Sequence, residues 1–239
     1  MRILVVNDDG INAPGIEALA RAALKFGEVW VVAPARQCSG MSQRLTIFEE
    51  MELRQVDFPL PAAGAWSVDG TPADCVKLAL DMLLPGRPDY VFSGVNNGWN
   101  CGFDIAYSGT IGACCEAVLN GVPAIAFSAP FGEDFALAEE HMPAMIAELL
   151  ERGQGSGEIW NVNFPGGDPA ELRGVLWNRR AAPMQMYSGV YSVRADEAGR
   201  QLCSQKGVLI GRDRAGEEND VAAVLDGYIS VGKLKNFLL

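Results

Sequence analysis

Short apolar runs alternate with segments of helical periodicity along the first two thirds of the chain. Residues 3–6 (ILVV) form an all-apolar run of the kind that a strand buried on both faces requires. Polar turn formers follow at residues 7–10 (NDDG), and residues 14–27 then carry apolar side chains at helical spacing up to a glycine. This order of strand, turn and helix predicts the opening unit of a doubly wound α/β domain.

The same alternation continues to residue 165. Buried strands are predicted at residues 28–35, 89–94, 122–129 and 159–165, and helices at residues 69–84, 110–121 and 133–153. Shorter strands beside the main sheet are predicted at residues 45–48, 51–56 and 65–68.

After residue 165 the pattern becomes a loose alternation around polar turns, with a closing strand at residues 227–234. The fold class predicted is therefore a three-layer α/β/α sandwich with a mainly parallel, Rossmann-like sheet and an antiparallel hairpin excursion near the C-terminus. Residues 1–165 would form the α/β catalytic core, and residues 166–239 a hairpin-rich segment that completes the domain.

Composition excludes several classes of protein. The chain has 239 residues with a formal net charge of −11, which argues against a nucleic-acid polymer as partner. No apolar run reaches the roughly 18 residues of a membrane span, so no membrane partner is expected. The six cysteines follow no CxxC or disulfide-framework spacing, and Met1 and Arg2 lead directly into the first strand without a signal peptide. These features predict a cytoplasmic protein with reduced thiols.

The polar turn after the first strand is the first candidate for chemistry. Asp8 and Asp9 lie where the carboxyl ends of parallel strands bind ligands. The segment contains neither G-x-G-x-x-G nor G-x-x-x-x-G-K-[ST], so a dinucleotide loop and a P-loop are both unsupported. Two carboxylates beside an amide suit Mg²⁺ or Mn²⁺. Taken alone, a solvated turn explains the segment equally well.

Two further loops follow predicted strand ends. Ser39, Gly40 and Ser42 lie in the loop after the second strand, and Asn96 lies just past the strand at residues 89–94. The first loop alone is most simply a flexible turn, although hydroxyls and open N–H groups also suit a metal or phosphate oxygen. The second loop is long for a compact domain, and long loops are usually functional.

The helix that follows this long loop begins with Ser108, Gly109 and Thr110. A helix N-terminus with two hydroxyls and free N–H groups is a ready phosphate site, and an ordinary Ser or Thr cap is compatible with it. Because three strand ends now offer oxygen ligands or phosphate donors, the functional interpretation is favoured. The lone histidine, His141, is expected to have no catalytic role.

Five segments resemble, in order, the motifs of the survival protein E (SurE) family of metal-dependent 5′/3′-nucleotidases and phosphatases. They are NDDGINAPGI, APARQCSGMSQRLT, DGTPADCVKLAL, FSGVNNGWNCGFDIAYSGTIGA and NVNFP, with a weaker echo in NDVAAVLDGYIS. The resemblance implies a phosphomonoesterase that hydrolyses nucleoside 5′- and 3′-monophosphates, or another small phosphate ester, to release phosphate. It also implies one divalent ion, Mg²⁺ or Mn²⁺, per subunit.

Carried over motif by motif, the resemblance assigns residues to roles. The metal ligands would be Asp8, Asp9, Ser39 and Asn96. The catalytic residues would be Asp8, Asp9 and Ser108. The substrate and phosphate would be bound by Asn12, Gly40, Ser42, Asn97, Ser108, Gly109 and Thr110.

The chain also departs from the family pattern at the long loop. Relatives often carry Arg where Asn97 stands, and Trp99 and Phe103 are bulkier than expected. These differences bear on the choice of substrate rather than on the reaction.

The family is oligomeric, so residues 166–239 are expected to mediate a homodimer or a tetramer. The chain ends at Leu239, shortly after GYISVG, where relatives often continue into a helix. An alternative function that uses the same ligands is a nucleotide- or metal-sensing protein that performs no catalysis.

Overall fold

The helices and strands of the main domain follow the predicted order. The structure, a computed structural model, describes residues 1–132, 134–209, 211 and 216–236. The helices are α1 (Pro14–Ala23), α2 (Pro72–Leu78, extended by a π-helical turn at Ala79–Leu83), α3 (Gly109–Leu119), α4 (Ala136–Arg152) and α5 (Asp220–Leu225). Short 3-10 helices occupy Phe103–Tyr107 and Pro169–Glu171.

The strands are β1 (Arg2–Val6), β2 (Glu28–Pro34), β3 (Leu53–Gln55), β4 (Gly64–Val68), β5 (Tyr90–Asn97), β6 (Ala124–Ala129), β7 (Glu158–Asn163), β8 (Val175–Leu176), β9 (Tyr187–Ala195), β10 (Gln201–Leu209) and β11 (Ile229–Lys235). Nine of them form one sheet in the order β3-β4-β2-β1-β5-β6-β7-β11-β8, and β9 and β10 form a separate antiparallel ribbon. Strands β4, β2, β1, β5, β6 and β7 are parallel, whereas β3 and β11 pair antiparallel with β4 and β7.

Strand β1 is buried on both faces, as its all-apolar sequence predicts. Ile3 and Val5 join the core cluster that contains α1 and α4, whereas Leu4 and Val6 join the cluster that contains α2 and α3. The sheet therefore lies between two helical layers, and the predicted three-layer α/β/α sandwich with a mainly parallel sheet is confirmed. The strand order reverses at β1, which has β2 on one side and β5 on the other.

Two local predictions fail for the same kind of reason. The strand predicted at residues 45–48 is wrong: these residues are irregular, and Thr46 donates from both its backbone N and its hydroxyl to the Asp74 carboxylate. Strand β5 also runs to Asn97, beyond the predicted end at residue 94. In both places, contacts between distant parts of the chain override the local pattern.

The segment after residue 165 returns to the main sheet through β8 and β11. Between these strands the β9–β10 ribbon projects outward, and every one of its residues is exposed except the half-buried Tyr187. The antiparallel hairpin predicted after residue 165 is therefore present, although residue 210 of this segment lies outside the described residues. A small apolar cluster that includes Trp99, Met186 and Val221 joins this segment to the loop after β5.

In the described part of the chain, no helix is both long enough and apolar enough to span a membrane.

Candidate functional site

The turn after β1 is shaped by its own side chains. Asn7 Nδ2 donates to Gly10 O at 2.9 Å, and Gly10 N donates back to Asn7 Oδ1 at 3.1 Å. Gly10 has φ of +105°, a backbone conformation that a residue with a Cβ rarely adopts. This closed turn presents Asp8 and Asp9 at the carboxyl edge of the sheet, beside the point where the strand order reverses.

Asp8 is a buried carboxylate, only 3% exposed. Its Oδ1 accepts a 2.7 Å hydrogen bond from the hydroxyl of Thr110. Burial raises the pKa of Asp8 to about 6; the negative charge of Asp9 adds to the shift, and the Thr110 hydrogen bond opposes it. Burial therefore disfavours the ionised form of Asp8, and a nearby cation would stabilise that form.

Asp9 is less buried and accepts from two different loops. Its Oδ2 accepts from the backbone N of Asn97 at 3.0 Å, and its Oδ1 lies 3.4 Å from Gln37 Nε2. Burial raises the pKa of Asp9, and these two hydrogen bonds lower it. Asp9 thus joins the turn after β1 to the end of β5 and to the loop after β2.

The loop after β2 is held against the turn by its backbone. Cys38 N donates to Asp8 O at 2.7 Å, which brings Ser39 beside the carboxylates. Gln37 Nε2 donates to Ser39 Oγ at 3.1 Å as well as approaching Asp9. Gln37 could not be selected from the sequence, because an exposed glutamine in a loop carries no local signal of the two residues that it joins.

Asn96 reaches the same edge from β5. The register between β5 and β6 shifts between Ser93 and Asn96, an irregularity of the kind that redirects side chains at functional sites. Asn96 Nδ2 donates to Gly98 O at 2.6 Å. Since the nitrogen end of the amide is used in this way, Oδ1 is the end that can coordinate a cation.

The N-terminus of α3 packs directly on Asp8. A Cβ placed on Gly109 would lie 2.8 Å from Asp8 Cβ and 3.0 Å from Asp8 Oδ2, so only glycine allows this approach. Ser108 is the N-cap, and its Oγ accepts from Ile111 N at 3.1 Å while its own hydroxyl proton stays available to donate. A positive helix end therefore faces the carboxylate pair.

Two of the residues predicted to bind the substrate or phosphate, Asn12 and Ser42, make their contacts away from the carboxylate pair. Asn12 is exposed and lines a cavity of about 120 Å³ together with Asp57 and Phe58. Ser42 donates its hydroxyl to Ala106 O at 2.5 Å. Among the described residues, neither Asn12 nor Ser42 forms a hydrogen bond with the carboxylate pair.

Asn97 and Gly40 lie beside the site in different ways. The Asn97 side chain accepts from Gly132 N at 2.9 Å, so it is its backbone that contacts Asp9. Gly40 lines a larger cavity next to Tyr107. The lone histidine, His141, lies within α4 and approaches Glu140 at 4.0 Å.

The donor set fits a hard divalent cation. Within the described ranges, no ion pair involves Asp8 or Asp9, so two adjacent carboxylates at a buried edge have no basic partner. The same part of the chain contains no group of three or more His, Cys, Asp or Glu residues that could hold a metal. A cation here would therefore be held by two carboxylates and neutral oxygens, which suits Mg²⁺ or Mn²⁺ and not a thiolate or imidazole metal.

Fold and site together define a class of protein. It is a doubly wound α/β protein in which two adjacent carboxylates face a helix N-terminus, at the point where the strand order reverses.

Comparison with known proteins identifies the family. The family model of survival protein SurE matches residues 3–186, so the chain belongs to the SurE family. A relative from Desulforamulus reducens named 5′-nucleotidase SurE is 40% identical over 237 residues, covering 98% of this chain and 92% of the relative. A second with the same name, from Pelotomaculum thermopropionicum, is 37% identical over 234 residues, covering 97% and 88%.

A solved structure agrees with this assignment. The crystal structure of the SurE protein from Aquifex aeolicus has a TM-score of 0.81 to this chain at 36% identity and covers 98% of this chain and 93% of its own.

Proposed function

We propose that this chain is a divalent-metal-dependent phosphomonoesterase that hydrolyses nucleoside 5′- and 3′-monophosphates to nucleoside and phosphate. The relatives named 5′-nucleotidase SurE support the reaction class. The observation that carries the proposal is the pair Asp8 and Asp9, adjacent, without an ion-pair partner in the described chain, and facing the N-terminus of α3.

Four side chains would hold the ion, one per subunit: Asp8, Asp9, Ser39 and Asn96. A bound Mg²⁺ or Mn²⁺ would act as a Lewis acid on a phosphoryl oxygen and lower the pKa of a water molecule. Gln37 supports this arrangement, since it lies between Ser39 and Asp9 and fixes both. Thr110 favours the ionised form of Asp8 by donating to Oδ1.

The N-terminus of α3 would hold the substrate phosphate. Ser108 donates its hydroxyl proton to a phosphoryl oxygen while its Oγ continues to cap the helix. The N–H group of Gly109 and the positive end of the helix would complement the charge on the equatorial oxygens, whereas the backbone N–H of Thr110 already interacts with Asp8. Gly40, Ser42, Asn97 and Asn12 would shape the surrounding loops. Asp8 and Asp9 are assigned to the ion rather than to attack on phosphorus, so water is the nucleophile.

We also propose that the protein acts in the cytoplasm as a homodimer or a tetramer. All six cysteines are free in the structure, which fits a reducing compartment. The exposed β9–β10 ribbon supports assembly through residues 166–239, because an isolated two-stranded ribbon is marginally stable in water. In this division of the chain, residues 1–165 carry the chemistry.

Phosphate release from AMP tests the proposed function. The wild-type protein should release phosphate with Mg²⁺ or Mn²⁺, lose activity in excess EDTA, and recover it when the ion is restored. A protein that binds AMP but releases no phosphate under any of these conditions would be a sensing protein instead. Hydrolysis that is unaffected by EDTA would contradict the metal dependence.

A further inference from the structure

A cavity lined by the sequence neighbours of Ser39 and Ser108 has no role in the chemistry above. It has a volume of about 460 Å³ and lies between the loop after β2, the 3-10 helix after β5 and the β9–β10 ribbon. We call it the hairpin pocket, and its lining includes Gly40, Tyr107, Gln185, Tyr187, Tyr191 and Gln205. From its position and lining, we propose that the hairpin pocket binds the nucleoside part of the substrate, an inference that rests on the proposed function.

The pocket adjoins the proposed reaction centre through the chain itself. Gly40 directly follows the candidate ligand Ser39, and Tyr107 directly precedes Ser108. These two walls are tied together, since Ser42 N donates to Tyr107 O at 3.0 Å. A phosphate held at Ser108 would therefore leave its ester oxygen, and the group attached to it, at the mouth of this pocket.

The ribbon wall is also attached to the site loop. The hydroxyl of Tyr187 accepts from Trp99 N at 3.3 Å, three residues beyond Asn96. Asp104 Oδ2 accepts from the backbone N of both Met186 and Tyr187, at 2.7 and 2.9 Å. The start of β9 is thus positioned relative to the loop that carries Asn96.

The two strands of the ribbon present one common face to the pocket. Tyr187, Gly189 and Tyr191 alternate along β9, and Gly189 pairs with Gly207 across the ribbon while Tyr191 pairs with Gln205. The two opposed glycines leave space between the tyrosines. A Cβ on Gly189 would collide with Gln205 Nε2, so the glutamine amide lies across this space.

The chemistry of the lining favours a nucleoside over a second phosphate. Tyr107 and Tyr191 are 57% and 66% exposed, and aromatic faces of this kind stack on nucleobases. The amides of Gln185 and Gln205 can each donate to and accept from the edge of a base. The lining contains no Lys or Arg among the described residues, and its one charged group is the Asp104 carboxylate. A second phosphate group in this pocket would therefore find no positive side chain to compensate its negative charge.

A neighbouring cavity of about 830 Å³ is the competing location for a nucleoside. It shares Tyr107 and Gln185 with the hairpin pocket, but it is lined by Phe103 and Met184 and not by Gly40 or Tyr191. Phe103 is also an exposed aromatic, at 55%. Tyr191→Ala and Phe103→Ala therefore each remove one exposed aromatic ring, the first from the hairpin pocket and the second from the neighbouring cavity.

Titration with adenosine and with inorganic phosphate, in the presence of Mn²⁺, tests the proposal without requiring turnover. Tyr191→Ala should weaken adenosine binding about tenfold, as expected for loss of one stacking contact, and leave phosphate binding within about twofold. Tyr191→Phe should retain wild-type affinity because the ring is kept. Phe48→Ala, which removes an exposed ring that lines neither cavity, should bind adenosine like the wild type. Equal adenosine affinity in Tyr191→Ala, or no adenosine binding by the wild type, would overturn the proposal. A larger loss in Phe103→Ala would move the nucleoside to the neighbouring cavity.

Kinetics separate this result from the proposed function. In Tyr191→Ala, KM for AMP should rise about tenfold while kcat/KM for glycerol 2-phosphate, which has no base, stays unchanged. An equal loss on both substrates would overturn the nucleoside assignment. Absence of hydrolysis of both substrates by the wild type would instead overturn the proposed function, with the adenosine titration still deciding the pocket.

Discussion

The hydroxyl of Thr110 donates to Asp8 Oδ1 at 2.7 Å, across 102 positions of sequence. This hydrogen bond connects the turn after β1 to the first turn of α3. It stabilises the ionised form of a buried carboxylate, so it opposes the effect of burial, and the pKa of Asp8 that results from both is about 6. Thr110 was selected from the sequence as a phosphate-loop residue, and the structure adds this contact with Asp8.

Metal affinity should depend on pH through this carboxylate. Protons and Mn²⁺ compete for Asp8, so apparent Mn²⁺ affinity should be constant above pH about 6 and fall as the pH drops below it. Thr110→Val removes the opposing hydrogen bond, so the fall should begin about one pH unit higher. Thr110→Ser keeps the donor and should behave like the wild type. Calorimetric titration with Mn²⁺ across about pH 5 to 8 measures this affinity. The same pH dependence of Mn²⁺ affinity in Thr110→Val and in the wild type would contradict the role of the hydrogen bond.

Gly109→Ala should damage the site through steric contact alone. The new Cβ would lie 2.8 Å from Asp8 Cβ and 3.2 Å from Cys38 O, so the helix end and the carboxylate must move apart. We expect kcat for AMP to fall about 10²-fold, as found for displacements of about 1 Å near reacting groups. Gly86→Ala is the control, since its Cβ would meet only the end of the Arg2 side chain, at 3.0 Å. Similar activity of both variants would show that the approach of α3 to Asp8 is unimportant.

Ser108→Ala should lose both a helix cap and a phosphate donor. The cap contributes about 1 kcal/mol of stability, and the donor about 10² in kcat. The rate loss should be the same for AMP and for glycerol 2-phosphate. Asn219→Ala is the matched control: Asn219 is also 7% exposed and caps α5 by accepting from Ala222 N at 2.9 Å. It should lose similar stability in urea unfolding with no change in rate. A loss confined to AMP would place Ser108 in nucleoside recognition instead.

Cysteine labelling tests the burial of the core. Burial raises the pKa of Cys75, Cys101 and Cys114 well above the usual value, and burial with the nearby Glu116 charge raises that of Cys115 to about 11. Since the thiolate is the reactive form, these thiols should be nearly inert at pH 8. Exposed Cys203 should react alone and quickly with a disulfide reagent, and all six thiols should react after unfolding. Any fast thiol in Cys203→Ser would contradict this packing.

Some of the fold and the site could be predicted from sequence because the signals are local. The apolar run of β1 and the turn that follows it each depend on neighbouring residues, and each is found in the structure. The bridging position of Gln37 and the extension of β5 to Asn97 could not be predicted, because they depend on contacts between distant segments. For the same reason the prediction of a strand at residues 45–48 is wrong, because the hydrogen bond from Thr46 to Asp74 holds these residues in an irregular conformation.

The adjacent carboxylates Asp8 and Asp9 are proposed to hold a catalytic cation, and this assignment is open to a direct test. It is tested most directly by AMP hydrolysis in Asp9→Asn at saturating Mn²⁺, with circular dichroism to show that the variant is folded. The substitution keeps the size of the side chain, removes one charge and leaves one oxygen to accept from Asn97 N. We therefore expect turnover to fall more than about 10²-fold, beyond the loss caused by removing a residue that only orients a metal ligand. Near-wild-type turnover of the folded variant would contradict the assignment of Asp9 to the cation.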